Sequence, residues 1–332
     1  MQRRRVSRIV FRIFAGAAAA VAILMLAAAF LPLFRPSPGV EAHPYGNFDN
    51  AKRAAAERIA ANPGEVRPEC RDILLDHGTR TRDVYVLLHG LTNCPAQFRD
   101  FGLKLFERGA NVFIPRLPFH GMTDRLTPDQ AKLQARDMVA SAGNAVDIAR
   151  GLGDRIIVVG LSLNAVTTTW LAQERKDITL AVAIAPFFAP QGTPDFAIAP
   201  LTRFLLRAPN VFVWWDPSAK ENLPGSPFSY PRFSTKVIGE SMWLGLEVFR
   251  KARSSAPATR RILFIASPTD PAIDLPRMDR LAALWQPNAE VGNLRFPADW
   301  NVPHDCIDPR QPDQQVDRVY PQLIFWIQAA LP

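Results

Sequence analysis

The sequence predicts an α/β protein with a mostly parallel sheet covered by helices on both faces. Three observations carry that reading. From Val84 onward, short apolar runs alternate with helix-compatible stretches, the pattern of strands joined by crossover helices. In the middle of the series, Ile156–Asn164 reads Ile-Ile-Val-Val-Gly-Leu-Ser-Leu-Asn, a buried strand that turns sharply into a helix at a serine. Late in the series, about 75 residues between Pro186 and Arg260 interrupt the alternation, too many for a simple connection.

The elements follow in order. Arg3, Arg4, Arg5, Arg8 and Arg12 precede Ile13–Phe34, which is uncharged and almost wholly apolar. At 1.5 Å per residue that segment spans roughly 33 Å, enough to cross a hydrocarbon core. The arginines would stay on the cytoplasmic side and the body would lie on the exported side, making residues 1–35 a transmembrane signal-anchor. A cleaved signal peptide is the competing reading, with Ala27-Ala28-Ala29 as its cleavage site. Residues 36–69 read as a proline-rich stalk, Arg35–Pro44, followed by a helix over Asn47–Ala61. That helix has Asp49 or Asn50 as its start signal and Asn62-Pro63-Gly64 as its stop, and is expected to pack on the membrane-proximal side of the body.

Ile73–Asp76 is a short strand, and Val84–Leu88 a longer one. Pro95–Arg108 is an amphipathic helix, Val112–Pro115 a strand, and Thr127–Leu152 one long helix or two short ones. Ile156–Val159 is the strand before the serine. Leu180–Ala185, Ile262–Ala266 and Leu294–Phe296 continue the sheet, and Tyr320–Ala330 closes the chain as a helix. The interruption is rich in aromatic residues, among them Phe187, Phe188, Phe196, Trp214, Trp215, Tyr230, Phe233 and Trp243. It reads as a cap over the sheet, about 187–260, with most of its rings in a small core of its own and a few left to roof a site.

Composition narrows the function classes. The chain has 332 residues, is 48% hydrophobic and contains 30 prolines. Its formal net charge is +8, but the five arginines before the apolar segment supply most of it. The body is therefore only mildly basic, and no basic stripe with interleaved aromatics marks nucleic-acid binding. Cys70, Cys94 and Cys306 are an odd number, so at most one intramolecular pair can form, and no two have metal-ligand spacing.

A strand that turns into a helix at a serine lifts the hydroxyl off the sheet edge and aims the free N–H groups of the helix at the same spot. Ser162 is the nucleophile on this reading. Gly160 leaves room beside it, while Asn164 stands where a second glycine is usual. A serine hydroxyl needs a base, normally a histidine, and a carboxylate to orient that base. Of five histidines, His43, His77, His89, His120 and His304, only His304 lies in a C-terminal loop able to reach back over the sheet edge. Asp270 follows the strand Ile262–Ala266 in Ser267-Pro268-Thr269-Asp270, at the same edge as Ser162, with Asp274 as the fallback. The backbone N–H groups of Leu91, after Gly90, and of Leu163 are the expected oxyanion donors.

These residues resemble the α/β-hydrolase-fold serine hydrolases of the carboxylesterase or monoacylglycerol-lipase-like kind. The resemblance rests on His89-Gly90-Leu91, Pro118-Phe119-His120-Gly121, Gly160-Leu161-Ser162-Leu163-Asn164, Ser267-Pro268-Thr269-Asp270 and Pro303-His304-Asp305, over roughly residues 70 to 330. It implies a doubly wound eight-stranded sheet, a cap after the sixth strand within a domain of residues 70–332, and ester hydrolysis through an acyl-enzyme with no metal or organic cofactor. An apolar ester or lipid is the implied substrate. An acyltransferase or peptidase could use the same residues, and a membrane-tethered binding protein without activity would be favoured only by Asn164. In this fold the strand Ile73–Asp76 would run antiparallel and start at the active-site edge. Cys70–Cys94 is then the first expectation for a bridge and Cys94–Cys306 the second.

Overall fold

A computed structural model of the chain describes residues 29–61 and 64–332. Most of the apolar segment Ile13–Phe34 lies outside the described residues. Among those described, no helix is long and apolar enough to cross a membrane.

The strands are β1 (Ile73–Leu75), β2 (Thr81–Leu88), β3 (Asn111–Ile114), β4 (Gly153–Leu161), β5 (Leu180–Ile184), β6 (Phe212–Trp214), β7 (Arg232–Ser234), β8 (Arg261–Ala266) and β9 (Glu290–Arg295). The main sheet has the order β1-β3-β2-β4-β5-β8-β9. Its pairings are parallel except for β1, which runs antiparallel to β3 at one edge. Ile156 to Val159 of β4 are all buried, as a central strand covered on both faces requires. The implied eight strands are thus seven among the described residues, and the insertion follows the fifth. The chain ahead of β1 forms a helix and a short 3₁₀ turn at Pro68–Cys70 rather than a further strand.

The helices are α1 (Phe48–Ala60), α2 (Arg99–Phe106), α3 (Ala135–Leu152), α4 (Leu163–Glu174), α5 (Asp195–Arg207), α6 (Thr235–Ala252), α7 (Leu275–Trp285) and α8 (Val316–Ala329). Several boundaries correct the expectations. Asn47, rather than Asp49 or Asn50, caps α1, its side chain accepting from the Asn50 N–H at 2.9 Å. The stretch Pro95–Arg108 divides into a 3₁₀ turn, Pro95–Phe98, and α2. In Thr127–Leu152 only Asp129–Lys132 and α3 are helical. Helix α7 has no counterpart among the sequence-derived elements, and Pro276 stands in its first turn. Proline is well suited to the first turn of a helix, and the Asp274 side chain caps this one.

The stalk reading of Arg35–Pro44 is also corrected. The segment lies extended against the body. Arg35 pairs with Glu240 at 3.0 Å and stacks over Trp243, Ser37 bonds to Glu247, and the His43 N–H donates to Asp147 at 3.1 Å. Helix α1 then packs on α3 so tightly that a Cβ on Gly151 would lie 2.5 Å from that of Ala51.

Between β5 and β8 the chain forms α5, the antiparallel pair β6–β7, and α6. Val237, Leu244 and Val248 of α6 join the main core, so this helix belongs to the layer covering the sheet. The overhanging part is shorter, ending near Ser234. It has no single aromatic core of its own. Phe188 and Phe249 pack edge to face on each other within the main core, Tyr230 sits in a separate cluster with Cys70 and Cys94, and Phe196 and Trp215 stay exposed.

Candidate active site

At the C-terminal end of β4 the chain reverses into α4 at Ser162, whose φ of 58° and ψ of −115° lie where non-glycine residues are strained. The sequence forces this turn. A Cβ at Gly160 would lie 2.3 Å from the Asn164 carbonyl oxygen and from Thr168 Oγ1, so only glycine lets the helix fold back over the strand. Neighbouring strands hold the turn in place: the Ser162 N–H donates to Ile184 C=O at 2.9 Å. The serine side chain makes no cap to its own helix, which leaves Oγ available.

The partner of that oxygen comes from far along the chain. Ser162 Oγ lies 2.8 Å from His304 Nε2, and His304 Nδ1 lies 2.7 Å from Asp270 Oδ2. Asp270 can only accept as a carboxylate, which assigns the ring proton to Nδ1 and leaves Nε2 to accept from the serine hydroxyl. The Asp270 side chain is buried, and its second oxygen accepts from the Ala272 N–H at 2.8 Å. Asp274, the fallback carboxylate, is elsewhere. It caps α7 through the Arg277 N–H and pairs with the Arg277 side chain.

Leu91 and Leu163 both border the cavity above Ser162. Leu163 is the first residue of α4, so its N–H has no acceptor within the helix. The Leu91 N–H belongs to the same peptide plane as the Gly90 C=O and points the opposite way. That carbonyl accepts from the Asn93 N–H at 3.3 Å and from His89 Nδ1 at 2.9 Å.

His89 is the part of the site that sequence reasoning passed over. It is fully buried, and its Nε2 accepts from the Leu117 N–H at 3.0 Å, so Nδ1 carries the proton that holds the Gly90 carbonyl. Burial, with His120 close by, pushes its pKa down to about 3. The ring is therefore a neutral strut throughout the neutral pH range. A histidine directly after the apolar run Val84–Leu88 is the signal available in the sequence.

Asn164 also finds a use. Its Nδ2 donates to the His89 C=O at 2.6 Å, tying the start of α4 to the loop after β2. The missing second glycine has been replaced by a tether. Cys70 and Cys94 form a disulfide with a Cα–Cα distance of 5.2 Å, joining the segment before β1 to this same loop. Cys306 is free and buried, which excludes the Cys94–Cys306 alternative, and burial pushes its thiol pKa well up.

The cavity has a volume of about 620 Å³. Its walls are largely apolar, with Leu91, Phe187, Leu223, Phe233 and Ile238 among them, and no lysine or arginine among the described residues borders it. Asp305, Asn93 and Gln311 make one polar corner, where Gln311 Nε2 donates to Asp305 at 2.8 Å. Among the described residues no group of His, Cys, Asp and Glu is arranged to hold a metal ion.

Comparison with known proteins agrees with this architecture. Residues 85–320 match the model of the alpha/beta hydrolase family. No curated protein sequence matches the chain. Among solved structures, the chain is similar to one from the pair LipS and LipT, two metagenome-derived lipolytic enzymes. It is 20% identical there, with a TM-score of 0.60 over 80% of this chain and 99% of that one. It is also similar to the monoacylglycerol lipase of Paleococcus ferrophilus, at 17% identity and a TM-score of 0.57, over 78% and 98% of the two chains. A soluble variant of the monoglyceride lipase of Saccharomyces cerevisiae is 14% identical with a TM-score of 0.58, over 79% and 91%. At these identities the likeness is one of fold.

Proposed function

The chain belongs to the alpha/beta hydrolase family, whose model spans more than half of it, and from that premise we propose that it is a carboxylic ester hydrolase acting through Ser162, His304 and Asp270. The observation that carries the reading is the unbroken relay from Ser162 Oγ to His304 at 2.8 Å and on to Asp270 at 2.7 Å, on the floor of an apolar cavity.

In this mechanism His304 Nε2 takes the serine proton as Oγ attacks the ester carbonyl. Asp270 keeps the ring in the required tautomer and offsets its charge once it is protonated. The N–H groups of Leu91 and Leu163 hold the oxygen that becomes negative, each such donor being worth about 3 kcal/mol in the transition state. His304 then returns the proton to the leaving alcohol. Water enters by the same route and releases the acid from the acyl-serine. The apolar walls, bordered by no lysine or arginine among the described residues, favour an uncharged, hydrophobic acyl group.

The same reading sets the body on the exported side of a membrane, held there by Ile13–Phe34. The arginine-rich start fits that orientation, and the Cys70–Cys94 disulfide fits an oxidising compartment. Phe30, Leu31 and Phe34 are exposed where the apolar segment meets the body, and Arg207 donates to the backbone carbonyls of Leu31 and Pro32 there.

A serine-directed fluorophosphonate probe tests the nucleophile. The wild-type chain is expected to be labelled and Ser162→Ala to escape labelling. Labelling that persists in the alanine variant overturns the assignment. Sequencing the N-terminus of the mature protein separates a retained anchor from a cleaved signal.

A further inference from the structure

The loop that carries Leu91 is held from below by His89 and Asn164, but its far end is held from above. Thr92 follows Leu91 directly and has a φ of 67°. That left-handed conformation is unfavourable for a β-branched residue, so neighbouring groups must enforce it. The turn closed by the Asn93 N–H on the Gly90 C=O sets it locally, and two further bonds to Thr92 come from the insertion. The Tyr230 N–H donates to the Thr92 C=O at 2.6 Å, and the indole Nε1–H of Trp215 donates to Thr92 Oγ1 at 3.1 Å. Trp215 itself borders the cavity and packs on Phe233, with ring centroids 4.5 Å apart.

We propose that Trp215 is a positioning residue, fixing the Leu91 N–H through its hydrogen bond to the Thr92 hydroxyl and so tying the seating of the roof to the completeness of the oxyanion site. The inference rests on the ester-hydrolase reading. If the Thr92 backbone relaxes towards ordinary angles, the two peptide planes before it must turn, and the second of these carries the Leu91 N–H. The Gly90 carbonyl bonds resist that turn on one side, and the Thr92 bonds resist it on the other. The Tyr230 contact is main chain to main chain and survives side-chain substitution. The Trp215 contact is the one a substitution can remove alone. An indole N–H bonded to a threonine hydroxyl beside a cavity wall does more than fill space, because a phenylalanine would fill the same wall.

The test uses the full-length protein and a short p-nitrophenyl ester. Trp215→Phe keeps a ring against Phe233 and removes the donor. It is expected to lower kcat about 5- to 10-fold while KM stays within about twofold, the pattern of an interaction felt in the transition state. Thr92→Val, which keeps the branch and loses the hydroxyl, is expected to do the same, and Thr92→Ser to retain wild-type kcat. The double variant Trp215→Phe/Thr92→Val should be no slower than either single one, since both remove one bond. A wild-type kcat in Trp215→Phe, a change confined to KM, or full additivity in the double variant overturns the proposal. If Thr92→Val does not fold, Trp215→Phe against Thr92→Ser still decides, because Trp215 is half exposed and its replacement leaves the core intact. A wild-type chain that neither turns over esters nor takes the fluorophosphonate probe overturns the ester-hydrolase reading and this inference with it. Turnover in the wild type with an unaffected Trp215→Phe overturns the inference alone.

Discussion

The floor and the roof of the cavity are held by different physics. Ser162, Leu163 and Asp270 stand at or just beyond the ends of buried parallel strands, and the register β4–β5–β8 sets where each begins. His304, on the loop after β9, meets them there. A one-residue slip anywhere in that ladder would turn a whole strand inside out, so the floor is over-determined. The roof is a short helix and a two-stranded ribbon, tied down by separable side-chain bonds. Gln130 clamps β7 at Arg232 and Ser234, Arg125 bonds to the Ser229 C=O, and Tyr230 accepts from the Met122 N–H. Floor substitutions should therefore act as near-switches, and roof substitutions as graded adjustments.

The sharpest test sets two floor aspartates four residues apart against each other. Asp270→Asn keeps the shape but offers the histidine ring a donor where it needs an acceptor. Turnover should fall about 10⁴-fold, as expected when the wrong tautomer is imposed. Asp274→Asn should leave kcat unchanged, and as Asn also caps helices its stability cost should stay under about 1 kcal/mol. Steady-state kinetics and urea unfolding on the two variants separate the roles. Equal kinetic losses would mean that the relay to His304 is not what orients it.

The contrast between floor and roof also explains what could be read from the sequence. The β4 strand, Gly160, Ser162 and the order of Asp270 and His304 are legible because local rules specify them: a run of β-branched residues, a glycine where no Cβ fits, and loops that follow strand ends. Edge strand β9 was half missed because it is only partly buried and carries Gly292 and Asn293 in place of an apolar run. Arg35–Pro44 read as a stalk because its docking depends on Glu240 and Glu247, more than 200 residues away. The Trp215–Thr92 bond joins residues 123 apart and has no local signature at all.

Buried neutral histidines under the floor predict a stability that depends on pH. His89 and His120 are both fully buried, with pKa values pushed down to about 3 and about 4 by desolvation. In the unfolded chain each takes up a proton near pH 6.5. Their contribution is therefore fully present above pH 6.5 and is lost as pH falls below it, at up to about 1.4 kcal/mol per pH unit for each ring. By pH 5 the two together should remove about 4 kcal/mol. Urea midpoints at pH 7, 6 and 5 measure the slope, and His120→Gln should remove about half of it. A flat profile would mean that these rings are hydrated and the floor is looser than described.

The disulfide lies where floor meets roof. Cys70 and Cys94 are 24 residues apart, and a loop of that length contributes about 3 kcal/mol when closed. Treatment with reductant, or the pair Cys70→Ser and Cys94→Ser, should lower unfolding stability by about that amount. Cys94 sits two residues after Thr92, so kcat should fall with it. An unchanged kcat in the still-folded reduced protein would show that His89, Asn164 and Trp215 suffice to hold the loop.

The weakest effect is expected on the outer surface of the roof. Phe196, in the first turn of α5, is 83% exposed and does not border the cavity. Phe196→Ser trades a ring in water for a hydroxyl in water, so unfolding stability should change by no more than about 0.5 kcal/mol. Hydrolysis of a water-soluble short ester should keep the wild-type kcat and KM, because no hydrogen bond connects this side chain to Thr92 or to the relay. Reading both constants alongside Trp215→Phe distinguishes the inner from the outer surface of the same insertion. A several-fold loss of kcat in Phe196→Ser would break the distinction, since it would make the whole roof, and not one indole N–H, the element on which the oxyanion loop depends.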